Sequence, residues 1–208
     1  MAATPRPSDV FPFVPTVAAM ALPLRILQVT KGHPFEREPF LAIFDDDATI
    51  AYEHVEHPEA QLRWHPDRLG DVDSIVFYDM PGLQFTRGDP PVELLAPDPP
   101  FVAGFEALLA HGVGIVMLHH SIASWPTWPR DAQVVGGRFH YDAGDLWGQR
   151  WPDSGYLLDV THTVEVLAAD HPLRRGLPAA FELHDDHRDG VGDCRAGVAM
   201  TVRALTTH

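Results

Sequence analysis

Short apolar runs alternate with amphipathic stretches along the chain, and this alternation predicts its secondary structure. Residues 39–44 and 101–111 carry apolar side chains at helical spacing, so each stretch predicts a helix. One or two late strands are expected within residues 157–167. Runs rich in apolar and β-branched residues predict four earlier strands, at 24–29, 49–55, 74–78 and 114–118.

The order of these elements predicts the fold class. Strands that alternate with helices are typical of a doubly wound α/β fold with a mostly parallel central sheet. The run at 114–118 is uniformly apolar, which is typical of a central parallel strand. By contrast, residues 81–100 contain six prolines and predict a loop.

Length and composition limit the class of protein. The 208 residues suffice for one well-buried core, and 45% hydrophobic with 21% charged residues is typical of a globular domain. A formal net charge of −14 argues against nucleic acid, because phosphate binding needs a concentrated basic surface. No apolar run approaches the ~20 residues that cross a bilayer. We therefore expect neither a nucleic-acid nor a membrane partner.

The two ends of the chain differ from its middle. Residues 1–23 contain five prolines and a single basic residue, which makes a poor signal peptide, so we expect a disordered or artefactual leader. Residues 24–187 form the expected domain, and residues 188–208 an atypical tail without convincing periodicity. The single cysteine, Cys194, excludes an internal disulfide and a multi-thiolate zinc site, and it favours the reducing cytoplasm.

Three of the predicted strands lead into residues that can carry chemistry. His33 follows the first strand, Asp79 the third, and His119 and His120 the fourth. Because the carboxyl ends of parallel strands share one edge of a sheet, we expect these side chains to lie close together. Imidazoles and carboxylates act as general acids and bases, and they also bind zinc, iron or manganese. We predict His119, Asp79 and His33 as catalytic residues, and the spacing leaves a divalent metal such as zinc open.

Aromatic side chains beyond the fourth strand point to a class of substrate. Trp125 and Trp128 can offer faces on which sugar rings stack, although packing within a long loop is the alternative. We predict His120, Trp125, Trp128 and His140 as substrate-binding residues.

Neither Ser121 nor Cys194 is expected to act as a nucleophile. A nucleophile elbow needs small residues two positions away on either side, and for Ser121 these positions hold His119 and Ala123. Cys194 lies in a glycine-rich stretch and does not follow a strand of the expected sheet. The sequence therefore argues against a serine hydrolase and against a cysteine-dependent glutaminase.

A series of short motifs runs through the chain in order. They are Gly32-His33, the step from Ile115 to His120, Trp125-Pro126-x-Trp128, Gly136-Gly137-Arg138-Phe139, Ser154-Gly155-Tyr156, Asp159-Val160-x-His162, His171-Pro172, Gly176-Leu177, and Phe181 followed by Asp185-Asp186. Through these motifs the chain, over residues 24–186, resembles the trehalose-utilisation (ThuA-like) family of the class I glutamine amidotransferase-like superfamily. Their shared order makes the resemblance more specific than any single motif.

The resemblance implies a flavodoxin-like three-layer α/β sandwich, a missing glutaminase cysteine, and a role in the utilisation of trehalose or a related disaccharide. It further implies roles for His33, Asp79, His119 and the Asp185-Asp186 pair in sugar processing, with or without a metal. The chain departs from the family at Arg188, where members usually have tyrosine. We expect a C-terminus that is short, through truncation or a frame shift.

Two functions from different classes remain open. One is a carbohydrate-processing enzyme, which predicts that His33, Asp79 and His119 approach one another. The other is a non-catalytic domain that binds a sugar or a partner, which predicts a pocket with aromatic residues but without convergent ionisable groups. A homo-oligomer is a candidate assembly for either, and a gene product without independent function is a third reading.

Overall fold

The structure, a computed structural model, describes residues 22–64, 66–157, 161–166, 174–184 and 193–194. Most of the predicted leader (1–23) and of the predicted tail (188–208) lies outside the described residues, as does the Asp185-Asp186 pair. The division into leader, domain (24–187) and tail therefore stays a prediction.

Strands and helices alternate through the first half of the chain. In order they are β1 (Leu24–Lys31), α1 (Arg37–Asp45), β2 (Ile50–Glu56), two 3-10 helices (Glu59–Trp64 and Pro66–Asp71), β3 (Ser74–Asp79), β4 (Leu83–Phe85), β5 (Val92–Leu94), α2 (Pro99–His111) and β6 (Gly114–Met117). Four of these strands form one parallel sheet in the order β2-β1-β3-β6. Helices flank this sheet, which confirms the predicted α/β fold with a mostly parallel centre and a flavodoxin-like arrangement.

One face of the central sheet forms the hydrophobic core. Leu27 and Val29 of β1 are fully buried, because residues two apart in a strand point to the same face. Burial of a large apolar side chain contributes about 1.5–3 kcal/mol. The same cluster contains buried residues of β3, of the first 3-10 helix and of α2: Ile75, Phe77, Ala60, Trp64, Phe101, Phe105, Leu108 and Leu109.

Helix α2 begins and ends with residues suited to those positions. The Asp98 carboxylate accepts a hydrogen bond from the Phe101 backbone N–H at 3.0 Å, and Pro99 occupies the first turn. Gly112 ends the helix in a left-handed conformation, with φ of +82°. The predicted helix is confirmed, and it starts two residues earlier than expected.

Two regions were not fully predicted from sequence. Strand β6 was expected at the centre of the sheet, but among the described residues it pairs only with β3, and its residues 115–117 are half-buried. An apolar run indicates that the faces of a strand are covered and does not give its number of neighbours, so a central position for β6 stays a prediction. The proline-rich stretch 81–100 contains the hairpin β4–β5 rather than a loop alone.

Short antiparallel pairs follow the central sheet. The later elements are a 3-10 helix (His119–Ala123), α3 (Pro129–Val135), β7 (Gly144–Leu146), β8 (Gln149–Trp151), β9 (Tyr156–Leu157), β10 (Thr161–Glu165), β11 (Ala180–His184) and β12 (Asp193–Cys194). They pair as β7–β8, β10–β11 and β9–β12, so Cys194 lies apart from the parallel sheet, as expected. Within the described ranges, each helix is too short or too polar to cross a bilayer.

Candidate functional site

The carboxyl ends of the central strands bring their loops to one edge of the sheet. Lys31, the last residue of β1, stands beside Asp79, the last residue of β3. Strand β2 leads into His57, and β6 leads into the 3-10 helix His119–Ala123. Ligands of parallel α/β proteins bind at this edge, so these residues define the candidate site.

Gly32 allows the loop after β1 to pass close to the end of β3. Its φ is +92°, and a Cβ at this position would lie 2.6 Å from the Met80 carbonyl oxygen. Only glycine fits this approach. The next residue, His33, therefore lies against the ring of Tyr78, with centroids 4.4 Å apart.

Both ring nitrogens of His33 face backbone carbonyl oxygens. Nδ1 lies 3.1 Å from the Pro34 oxygen, and Nε2 lies 3.3 Å from the Tyr78 oxygen. Because a carbonyl only accepts, both bonds form together only when the ring carries two protons. Burial nevertheless lowers the pKa of His33, although the two carbonyls and the charge of Asp79 act in the opposite direction. Proton uptake at His33 is thus coupled to a second hydrogen bond.

His33, His119 and His120 form one group, termed here the histidine cluster. His120 stacks on His33 with ring centroids 3.9 Å apart and 13° between the planes. His119 meets His120 edge-on at 4.8 Å. All three residues are half-buried. The structure thus places His33 and His119 in contact with the ring of His120. The catalytic roles of His33 and His119 stay predictions.

Asp79 is more deeply buried than the histidine cluster, and both of its carboxylate oxygens are engaged. Oδ2 accepts a hydrogen bond from His57 Nε2 at 2.9 Å, and Oδ1 accepts one from Ser121 Oγ at 2.9 Å. The residue is only 3% exposed. This carboxylate is placed to anchor its neighbours, and a direct role as acid or base stays a prediction.

The hydroxyl of Ser121 is engaged with Asp79 rather than with a histidine. It donates its proton to Asp79 Oδ1 and accepts the Asp79 backbone N–H at 3.3 Å. A serine nucleophile instead needs its hydroxyl hydrogen-bonded to a general base such as an imidazole. The geometry therefore agrees with the sequence argument against a serine hydrolase.

Two buried ionisable residues near the site were missed from sequence. His57 follows β2 directly, so the strand-end rule that selected His33 could also have selected it. Asp131 lies in the first turn of α3, where acidic residues are common, so no sequence signal distinguishes it. Burial, and to a lesser degree the charge of Asp79, raises the pKa of Asp131 well above its ordinary value, while Arg138 opposes the shift.

The predicted substrate-binding residues lie in three different places. His120 belongs to the histidine cluster. Trp125 and Trp128 pack against Phe101 of the core, with ring centroids 4.8 and 5.9 Å from it. His140 is 8% exposed and lines a cleft of about 270 Å³, whose walls come mostly from residues 138–145. Binding of substrate by these residues stays a prediction.

The described residues do not fit a metal centre. Among them, no three side chains of His, Cys, Asp or Glu converge as ligands. Within the candidate site, the ring nitrogens of His33 and the carboxylate oxygens of Asp79 already face protein groups. We therefore derive no chemistry from a metal.

Comparison with solved structures places this geometry in a known fold. A structure described as ThuA-like, from Bacteroides uniformis, matches with a TM-score of 0.51 and 17% sequence identity, over 82% of this chain and 62% of that one. The chain has the fold of a ThuA-like protein. A second structure so described, from Parabacteroides merdae, matches with a TM-score of 0.49 and 14% identity, over 77% of this chain and 60% of that one. The chain thus covers less than two thirds of the length of either neighbour. No family profile and no curated protein matches the sequence.

Proposed function

We propose that this protein belongs to the ThuA-like family and serves carbohydrate utilisation, with the histidine cluster as an acid–base centre for trehalose or a related disaccharide. The observation that carries the proposal is the contact of His120 with both His33 and His119 at the sheet edge. An imidazole titrates near neutral pH, so it can take a proton from a sugar hydroxyl and return it to a leaving oxygen. All three residues are half-buried, so each keeps some surface open to solvent.

The proposed scaffold is that of the class I glutamine amidotransferase-like superfamily without its nucleophile. In support, β6 leads to His119 and His120 rather than to a cysteine, and the single cysteine lies on a separate strand pair. We further propose a cytoplasmic protein, as a monomer or homo-oligomer, that acts on a small sugar without a nucleic-acid or membrane partner.

A non-catalytic sugar- or partner-binding domain is the second candidate. The hydrogen bonds of Asp79 and His33 favour this candidate. Their oxygen and nitrogen atoms already face protein groups, which leaves fewer lone pairs and protons to exchange with a substrate. The same bonds suit a rigid binding surface.

Turnover and binding, measured in the same samples, separate the two candidates. Trehalose, maltose, sucrose and their keto derivatives are incubated with the protein, products are followed by proton NMR, and imidazole signals are recorded in parallel. An enzyme gives products together with shifts at His33, His119 and His120, and His119→Ala abolishes product formation. His111→Ala is the matched control, because His111 is exposed at the end of α2, at the opposite edge of the sheet. Binding without turnover selects the second candidate in its sugar-binding form, and the absence of both overturns the enzyme and the sugar-binding domain.

A further inference from the structure

We propose that His57, acting through Asp79 and Ser121, is a positioning residue for the histidine cluster. The inference rests on the proposed function, since it treats this cluster as the reacting centre. His57 follows β2, Asp79 ends β3, and Ser121 lies in the 3-10 helix after β6. One chain of hydrogen bonds therefore joins three segments beneath the cluster.

The link to the cluster runs through Ser121, which directly follows His120. Its hydroxyl donates to Asp79 Oδ1 at 2.9 Å and accepts from the Asp79 backbone N–H at 3.3 Å. A residue held by two bonds to one neighbour has little freedom to rotate. The orientation of His119 and His120 is therefore tied to the position of Asp79.

Hydrogen bonds to carbonyl oxygens of β3 hold the two residues that flank the same 3-10 helix. The Leu118 N–H donates to the Phe77 carbonyl at 2.9 Å, and the Ser124 hydroxyl donates to the Asp79 carbonyl at 3.0 Å. These ties set where the helix lies. The bond from Ser121 to the carboxylate lies between them, so it ties the middle of the helix to the Asp79 side chain.

His57 fixes the other oxygen of the carboxylate. Its Nε2 lies 2.9 Å from Asp79 Oδ2 and donates to it, because an ionised carboxylate only accepts. His57 is 6% exposed as a residue, and its ring meets Trp64 edge-on at 5.6 Å, so the core holds it in place. Its Nδ1 has no hydrogen-bond partner among the described residues, which leaves the bond to Asp79 as the side chain's polar tie. A fixed donor on one oxygen gives the carboxylate a single orientation toward Ser121.

A matched pair of substitutions tests this role. His57→Gln keeps an N–H donor near the position of Nε2, whereas His57→Phe keeps an aromatic ring against Trp64 and removes the donor. Imidazole spectra of His33, His119 and His120 are recorded for each variant, with thermal unfolding as the control for folding. We expect His57→Phe to lose the upfield ring shifts that stacking of His33 on His120 produces, and His57→Gln to restore them. Once a substrate is identified, kcat/KM should fall roughly 10- to 100-fold in His57→Phe, mainly through kcat.

Ser121→Ala provides a second variant in case His57→Phe does not fold. It removes the bond at the helix and leaves the pair of His57 and Asp79 intact, so the same loss of ring shifts is expected. Wild-type ring signals in folded His57→Phe or folded Ser121→Ala would overturn the proposal. These spectra require no sugar, so they report on positioning even if the protein neither binds nor converts a carbohydrate.

Discussion

The rings of His33 and His120 are stacked, with centroids 3.9 Å apart and planes inclined by 13°. Burial lowers the pKa of His33, and the charge of His119 acts in the same direction. His33 is also the member whose protonation adds a hydrogen bond to a carbonyl. The state of one proton therefore affects both rings.

Acid should weaken the fold through His33. Because burial lowers the pKa of this histidine, the folded protein binds fewer protons than the unfolded chain below the ordinary pKa of about 6.5. Its contribution to stability is therefore complete above that value and is lost as pH falls through the lowered pKa. We expect the free energy of unfolding in urea to decrease from about pH 7 to pH 5, and to decrease less in His33→Asn. His111→Asn, at an exposed site, should keep the wild-type slope.

Gly32 should tolerate no side chain. Its φ of +92° resembles the +82° of Gly112, but a Cβ at Gly112 would meet nothing within 4 Å. Gly112→Ala therefore measures the backbone cost alone, about 1 kcal/mol. Gly32→Ala adds the clash with the Met80 carbonyl, so we expect a loss of about 2–3 kcal/mol by urea unfolding. Equal losses in the two variants would contradict the steric argument.

The buried carboxyl of Asp131 should make the fold less stable as pH rises. Since burial raises its pKa, its contribution to stability is complete below the unfolded value of about 3.9 and is lost as pH rises through the folded pKa. Asn has the same shape without the charge, so Asp131→Asn should be at least as stable as the wild type at about pH 8, with a flatter pH profile. Asp142→Asn, at an exposed position, is the control. A clear destabilisation of Asp131→Asn at this pH would show that the residue is needed as a carboxylate.

The start of β1 is joined to the residue before β3 by a two-point ion pair. Arg25 donates from Nε to Asp73 Oδ2 at 3.1 Å and from Nη2 to Oδ1 at 2.8 Å, and it holds the pKa of Asp73 at about 2. Lysine cannot donate two parallel bonds, so Arg25→Lys should raise this pKa toward its ordinary value. Carboxyl carbon NMR during an acid titration measures it, and added salt should reduce the difference. An unchanged pKa would mean that the Arg25 backbone N–H, 2.8 Å from Oδ2, is sufficient.

Hydrophobic spacing predicted β1, β2 and β3 to within two residues at each end, because β1 and β3 are buried along most of their length and exposed residues alternate with half-buried ones at the start of β2. The same spacing could not place β6, since the number of neighbours of a strand depends on segments far away in the chain. The hairpin β4–β5 was missed because prolines at its flanks conceal two strands of only three residues each.

The candidate site was predictable where its signal is local. His33, His119 and His120 follow strands directly, and the shared edge of the sheet then brings them together. The pairing of His57 with Asp79 depends on which loops pack together. The residues next to each of them in the sequence give no signal of this contact. The role of Trp125 is equally hard to predict from sequence, because an indole ring can stack on a sugar or pack in the hydrophobic core. Its contact with Phe101 shows that it packs against the core.

The layer beneath the histidines is continuous with the hydrophobic core, through His57 and its contact with Trp64. Exchange of the Asp79 amide hydrogen, which is bonded to Ser121, therefore requires the buried contact between β3 and the 3-10 helix to open. Half-buried His33 and His119 can change without that opening. Substitutions in the histidine cluster can therefore change the chemistry of the site and leave the fold intact. A substitution at His57, Asp79 or Ser121 is tolerated only if the protein still folds.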